Sequence, residues 1–222
     1  LEASSRVNQK ILGEQYFKDN LRRLPRVIYD VEIENLRINF NFKKFYISLQ
    51  DSHLYYDTYD YSYYDQIDHD ISKDGSLNSL GDKDCLKDAP LYLSFDFGST
   101  QNCCVVAQRR PSVNAFPTIK NFYVENEKLS VLVNQFIQYY KYHKHRTVYL
   151  YGGSDGTRKN DAISRESYFS EVERWLREAD WNVVPRYQNH EISHMDKFLF
   201  FSKYLAGDYP FLPRFSINGN NA

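Results

Sequence analysis

The sequence predicts an α/β domain built on one mixed sheet, and three observations predict it. "PLYLSFDFGSTQNCCVVAQ" reads as two apolar strands joined by a short turn, and "TIKNFYVEN" follows as a third, so the connections are those of an antiparallel meander. Downstream, "LSVLVNQFIQYYKYH" and "SYFSEVERWLREAD" carry apolar residues at helical spacing and alternate with the apolar strands "RTVYLYGG" and "WNVVPRY". At 222 residues the chain can bury one sizeable core and still have length for appendages.

In chain order, residues 4–24 predict a helix limited by Pro25, with Val7, Ile11, Leu12, Tyr16 and Leu21 on one stripe. "VIYDVEIENLRINFNFKKFYISL" is aromatic and β-branched and predicts strand with partial alternation. Residues 51–90 hold ten Asp, no Glu and three Lys, a net −7 that leaves +6 for the rest of a chain totalling −1. A Tyr, Asp, Ser and Gly composition cannot build a core of its own, so this segment predicts a long loop or a strap laid over another surface.

Strands are then predicted at 91–97, at 103–109 and over "TIKNFYVEN". Leu129, Leu132, Val133, Phe136, Ile137 and Tyr140 predict a helix ending in a basic turn that contains His143 and His145. "RTVYLYGG" is a buried fourth strand. Ser164 with Ser167 could cap a helix running to about Glu178, with Tyr168, Val172, Trp175 and Leu176 inward. "WNVVPRY" is a fifth strand, and "ISHMDKFLFFSKYLAG" a final helix stopped by Gly207. The order β-β-β-α-β-α-β-α is the succession of an RNase H-like fold with a mixed five-stranded sheet. The chain divides into an N-terminal helix and linker (1–35), a β-rich lead-in with the acidic Tyr/Asp-rich loop (36–90), and the RNase H-like core (91–222).

Three cysteines make no disulfide framework, and adjacent Cys103 and Cys104 would face opposite sides of a strand, which predicts a reduced, intracellular protein. No apolar run approaches the length of a membrane span.

The chemistry centres on two aspartates. In an open α/β sheet, ligands gather outside the carboxyl ends of the strands. Asp96 ends the first strand, and Asp155 follows the fourth in "VYLYGGSDGTRKN", where Gly152, Gly153 and Gly156 let the backbone come close to something. In the predicted strand order these strands are neighbours, so two carboxylates meet at one edge. Like charges in close quarters need a proton or a cation between them. Hard oxygen donors suit Mg²⁺ or Mn²⁺, and two such ions can activate a water and stabilise the leaving oxygen of a phosphodiester. Such a constellation needs a third carboxylate, for which Asp196 is available. Arg158, Lys159, Arg165 and Lys197 are expected near the same edge as phosphate contacts. The plain alternatives are a turn-starting Asp96, an ordinary "GGSDGT" loop and solvated surface charges.

Three rivals stand beside this reading. "FDFGST" resembles the first phosphate-binding turn of the actin, sugar-kinase and heat-shock ATPase superfamily, but those proteins clamp nucleotide between two such domains and this chain has room for one. "HEISH" matches the His-Glu-x-x-His zinc pattern, with His190 and His194 as ligands and Glu191 as general base. Its ordinary reading is a helix start capped by Asn189 or Ser193. The last rival is a catalytically silent DNA-binding domain. No Gly-x-x-x-x-Gly-Lys-[Ser/Thr] phosphate loop occurs.

From about residue 25 onward the chain resembles the C-terminal nuclease domain of phage terminase large subunits, the DNA-packaging motors of tailed bacteriophages. "VIYDVEIENL" is like the lead-in after the ATPase domain, "PLYLSFDFGSTQNCCVVAQ" like the first catalytic strand, and "VYLYGGSDGTRKN" like the second acidic loop. "SYFSEVERWLREADWNVV" and "DKFLFFSKYLAGDYPFLPRFSING" follow in the same order. The resemblance implies a metal-dependent endonuclease that cuts double-stranded DNA during genome packaging by two-metal-ion hydrolysis with Mg²⁺ or Mn²⁺. It implies Asp96 as a metal ligand. Where the family often shows Tyr-Gly-Asp, this chain has Tyr151-Gly152-Gly153-Ser154-Asp155, so the second acid is displaced by two positions. The family's third acid lies beyond "RFSING", so the core is expected to be truncated at its C-terminus. The implied partners are double-stranded DNA, the phage portal, the small terminase subunit and an ATPase domain of the same polypeptide, with no membrane; the implied place is the host cytoplasm.

Overall fold

Leu91, Leu93 and Phe95 are buried while Ser94 and Asp96 are exposed, the period of two that makes residues 91–97 a strand with one face in the core. The computed structural model describes residues 8–24, 26–34, 46–60, 77–98, 100–157, 166–190 and 192–221. They form two units: residues 52–191 with 213–222, and residues 1–51 with 192–212.

The larger unit holds a seven-stranded sheet. Its strands are β1 (Leu54–Tyr55), β2 (Leu91–Phe97), β3 (Gln101–Ala107), β4 (Ala115–Glu125), β5 (Thr147–Gly152), β6 (Asn182–Pro185) and β7 (Arg214–Asn218). The spatial order is β1-β7-β4-β3-β2-β5-β6. β3 runs antiparallel to β2 and β4, while β5 pairs parallel with β2 and β6 parallel with β5. A meander followed by two parallel crossovers, with the first strand central beside the fourth, is the RNase H-like arrangement. The sheet has two strands more than the predicted five: β7 pairs parallel with β4 and β1 with β7, at the meander edge. Both are short, and β1 is two residues long, too brief to leave an alternation in the sequence.

Helices α3 (Leu129–Tyr139) and α4 (Tyr168–Glu178) cover one face. Leu129, Leu132, Val133 and Phe136 of α3 recur at helical spacing, and all are buried in one cluster with Leu93, Val106, Val148 and Leu150. The Ser167 side chain caps α4 by accepting from the Ser170 N–H. Phe169, unmarked in the sequence reading, is fully buried with Val172 and Leu176. His143, expected in a basic surface turn, is instead buried after α3: its Nε2 lies 2.9 Å from the Ala89 carbonyl oxygen and its Nδ1 3.8 Å from Cys85 Sγ. Burial lowers its pKa, so it serves the core as a neutral ring.

The acidic segment packs at its described end. Asn78, Ser79, Leu80, Asp84 and Cys85 are buried. Asp84 accepts from the Tyr55 hydroxyl at 2.6 Å and from the Asn218 amide at 2.8 Å, which ties residues 77–90 to β1 and β7. Asp82 accepts from the Tyr139 hydroxyl of α3 at 2.8 Å. This end is fastened to the sheet and α3 through buried Asp84 and half-buried Asp82. Residues 61–76 lie outside the described residues.

The smaller unit contains α1 (Gln9–Arg23), α2 (Arg26–Glu32) and α5 (His194–Ala206). Two expectations change here. The stripe assigned to α1 is exposed at Ile11, Leu12, Tyr16 and Leu21, and Phe17 is the residue buried, with Tyr29 and Ile33. Gly13 breaks the helix at φ 75° and resets its register, which is why an unbroken stripe misreads it. Residues 27–32, expected as strand from their β-branched content, are helical, and Tyr29 and Ile33, four apart, are buried in one cluster with Phe17. α5 is capped by Ser193 and stopped by Gly207 at φ 86°, as its sequence predicts.

Candidate active site

The carboxyl ends of β2 and β5 lie side by side, because Phe95 is the register partner of Gly152. Asp96 is the next residue of β2. Asp155 follows β5 in a one-turn 3-10 helix, Ser154–Thr157. Both aspartates are exposed. The two residues therefore lie at, or just beyond, the neighbouring ends of adjacent parallel strands, and those strands are neighbours as the sequence predicts.

Three local features place them. The β2–β3 connection is tight: the Gly98 N–H donates to the Gln101 carbonyl at 3.0 Å, and Asp96 stands opposite Cys103 on β3. The Asp155 turn is pressed onto aromatic rings. A Cβ at Gly156 would lie 2.3 Å from the Phe169 ring and 2.5 Å from Phe97, and one at Gly152 would lie 2.5 Å from Phe169. The close approach these two glycines permit is thus to the α4 core, whereas Gly153 faces open space. Finally, the Thr157 hydroxyl donates to the Ser154 carbonyl at 2.6 Å and closes the turn.

Electrostatically, Cys103 feels the site: partial burial raises its pKa, and the Asp96 charge raises it further. Cys104 is fully buried on the opposite face, and burial pushes its thiol far up, so neither is a nucleophile at neutral pH.

Asp196 is in the first turn of α5, in the smaller unit, where it accepts from the Ser193 hydroxyl at 2.7 Å while Ser193 Oγ accepts from the Asp196 N–H. Lys197 follows it in the same turn. Arg158, Lys159, Arg165 and Glu191 lie outside the described residues. His190 precedes α5, which begins at His194, so the two histidines do not share a helix face. Among the described residues no group of three His, Cys, Asp or Glu side chains could hold a metal ion. No helix among them is long and apolar enough to cross a membrane.

Sequence reading missed what surrounds Asp96. In a strand, residues two apart share a face, and so do cross-strand partners. Asp96 therefore shares the sheet face opposite α3 and α4 with Ser94 and Tyr92, with Tyr149 and Tyr151 of β5, and with Cys103 and Tyr123. The Tyr92 and Tyr149 rings stack at 4.9 Å. The Arg186 guanidinium lies 5.7 Å from the Tyr149 ring centroid. The alternation "LYLSFDF" beside "VYLY" carried this signal.

No family model matches the chain, and no curated protein matches it. Solved structures do show likenesses. The chain is similar in fold to terminase nucleases. The large terminase of a thermophilic bacteriophage, solved with ATP-gamma-S, matches at 11% identity and a TM-score of 0.47, covering 94% of this chain and 42% of that one. The nuclease domain of P22 large terminase matches at 10% identity and TM-score 0.41, covering 62% and 65%. The human cytomegalovirus terminase nuclease domain matches at 11% and 0.38, covering 69% and 77%. This chain spans about two-fifths of the length of the thermophilic phage protein.

Proposed function

We propose that the larger unit is a metal-dependent endonuclease acting on double-stranded DNA, of the kind found at the C-terminus of phage terminase large subunits. The observation that carries this is the pair of exposed carboxylates, Asp96 and Asp155, at the carboxyl ends of adjacent parallel strands in an RNase H-like sheet. The donor set fits Mg²⁺ or Mn²⁺, which bind through one or two carboxylates and complete their shells with waters and substrate phosphates. Zinc fits less well, because His190 and His194 are not set on one helix face.

Asp96 and Asp155 would hold the ions, two if the resemblance extends to stoichiometry. Bound there, divalent ions supply an activated water and charge neutralisation on the cleaved phosphodiester. The chain's own contribution is to fix the two carboxylates at one sheet end, Asp96 by its ladder pairing and Asp155 by its turn over Phe169. Asp196 engages Ser193 at the start of α5, so its carboxylate already has a use there. The terminase resemblance supplies the setting: a portal, a small subunit and an ATPase domain that time the cut.

Supercoiled-plasmid cleavage tests the reading. With Mn²⁺ or Mg²⁺ the chain should nick or linearise plasmid, EDTA should stop it, and Asp96→Ala should abolish it. Cleavage that persists in Asp96→Ala, or that requires Zn²⁺ and His194, would overturn it. DNA binding with no cleavage under any metal would favour the silent-domain reading.

A further inference from the structure

The sheet face opposite α3 and α4 is arranged in rows, and their contents are specific. Beside Asp96 come Cys103 and then Tyr123, two strands away at roughly 10 Å. One row below, about 7 Å along the strands, Ser94 is flanked by Tyr151 on β5 and Val105 on β3. Arg186 follows the end of β6, on the outer side of Tyr151. Below that, Tyr149 and Tyr92 stack; burial raises the Tyr92 pKa, Tyr149 and Tyr151 add to the rise, and the nearby Arg109 charge opposes it.

Two properties make this more than apolar surface. Tyr123 and Tyr151 are 61% and 39% exposed, and they bracket Asp96 from opposite sides. Arg186 is exposed and makes no ion pair among the described residues, while Arg109 reaches the Ala115 carbonyl and the Asn114 side chain. The face thus offers flat rings at its middle and guanidinium groups at its margin, leading to the carboxylates. Rings that accept any base by stacking, beside cations that follow phosphates, are the chemistry of unpaired nucleic acid. A paired duplex keeps its base faces covered and has no base to stack on Tyr123 and Tyr151.

We infer that this face is a track for an unpaired DNA strand: Arg186 holds a phosphate, Tyr151 and Tyr123 stack bases on either side of the reacting position, and the phosphodiester between them is presented to Asp96 and Asp155. The inference rests on the nuclease reading for its last step and deepens it. The duplex substrate is engaged where it is locally opened, so the cut falls on a splayed strand.

The test is fluorescence anisotropy in EDTA, with a labelled unpaired oligonucleotide and the matching duplex. The unpaired strand should bind tighter than the duplex. Tyr123→Ala and Tyr151→Ala should each weaken it by about tenfold, whereas the Phe variants, which keep the ring, should bind as the parent does. Arg186→Ala should weaken binding and lower its salt dependence, and Val131→Ala, at an exposed position of α3 on the opposite face of the sheet, should change nothing. Equal affinity for duplex and unpaired DNA, or unchanged binding in both Ala variants, would overturn the track. So would no binding of either DNA, which would leave the face to a protein partner. Circular dichroism of each variant separates a folding defect from a lost contact, and the Phe variants carry the comparison if an Ala variant unfolds. Because cleavage is not read, the track can fail while Asp96-dependent cleavage stands, and can stand while cleavage fails.

Discussion

Gly156 and Phe169 are in such close contact that a methyl group on the glycine would sit 2.3 Å from the ring. This contact seats the Asp155 turn on the α4 core, at the end of the strand next to the one that carries Asp96. Gly156→Ala should therefore cost about 1–3 kcal/mol in urea unfolding and displace Asp155, lowering cleavage with it. Gly153→Ala, where nothing lies within 4 Å, should leave both unchanged. Equal effects at the two positions would show that the turn is not held by Phe169.

Asp82 gives the fold a pH dependence. Burial pushes its carboxyl up to about 6 from 3.8, with Asp84 adding to the rise, while the Tyr139 hydrogen bond and the charges of Lys120 and Lys87 oppose it. A carboxyl raised in the folded state stabilises the fold when protonated. Its contribution is complete below 3.8 and lost as pH rises through about 6. Asp82→Asn keeps an oxygen for the Tyr139 hydroxyl and removes the titration. Relative to the parent, it should gain stability by up to about 3 kcal/mol on going from acid to neutral pH. Urea midpoints of both chains across that range check the slope and its sign.

Phe136 carries the packing of α3 on the sheet. It is fully buried, its ring 5.3 Å from that of Trp181 and 5.0 Å from that of Tyr140. Phe136→Ala should cost about 3–5 kcal/mol, read as a lower urea midpoint. A loss under about 1 kcal/mol would mean that neighbouring rings collapse into the space.

Ser193 and Asp196 satisfy the start of α5 together. Ser193→Ala should cost about 1 kcal/mol by thermal melting. Asp196→Ala should leave plasmid cleavage intact, because its carboxylate serves the cap; loss of cleavage would make that carboxylate a third ligand.

The central fold was legible because its elements agree at every level. β2 through β6 are short apolar runs bounded by turn residues, and α3 and α4 repeat their apolar residues cleanly, so order and neighbours followed. The N-terminal segment was not legible. One residue, Gly13, resets the first helix, and a β-branched stretch became α2 through Tyr29 and Ile33 on Phe17, a contact the local sequence does not announce. At the candidate site, the neighbouring strand ends that carry Asp96 and Asp155 followed from the strand order, while the tyrosine face required knowing which residues stand opposite one another. Phe169 was missed because an aromatic in a helix looks like any core residue; its role shows only once two glycines are seen against it.

The most direct measurement is the plasmid-cleavage rate in Mn²⁺ of Asp96→Asn, Asp155→Asn and the double variant. If the two carboxylates hold ions as one unit, each single variant should abolish cleavage and the double should be no worse, since residues acting together are not additive. An Asp155→Asn chain that cuts at the parent rate, or single losses that simply multiply in the double, would contradict a shared metal centre.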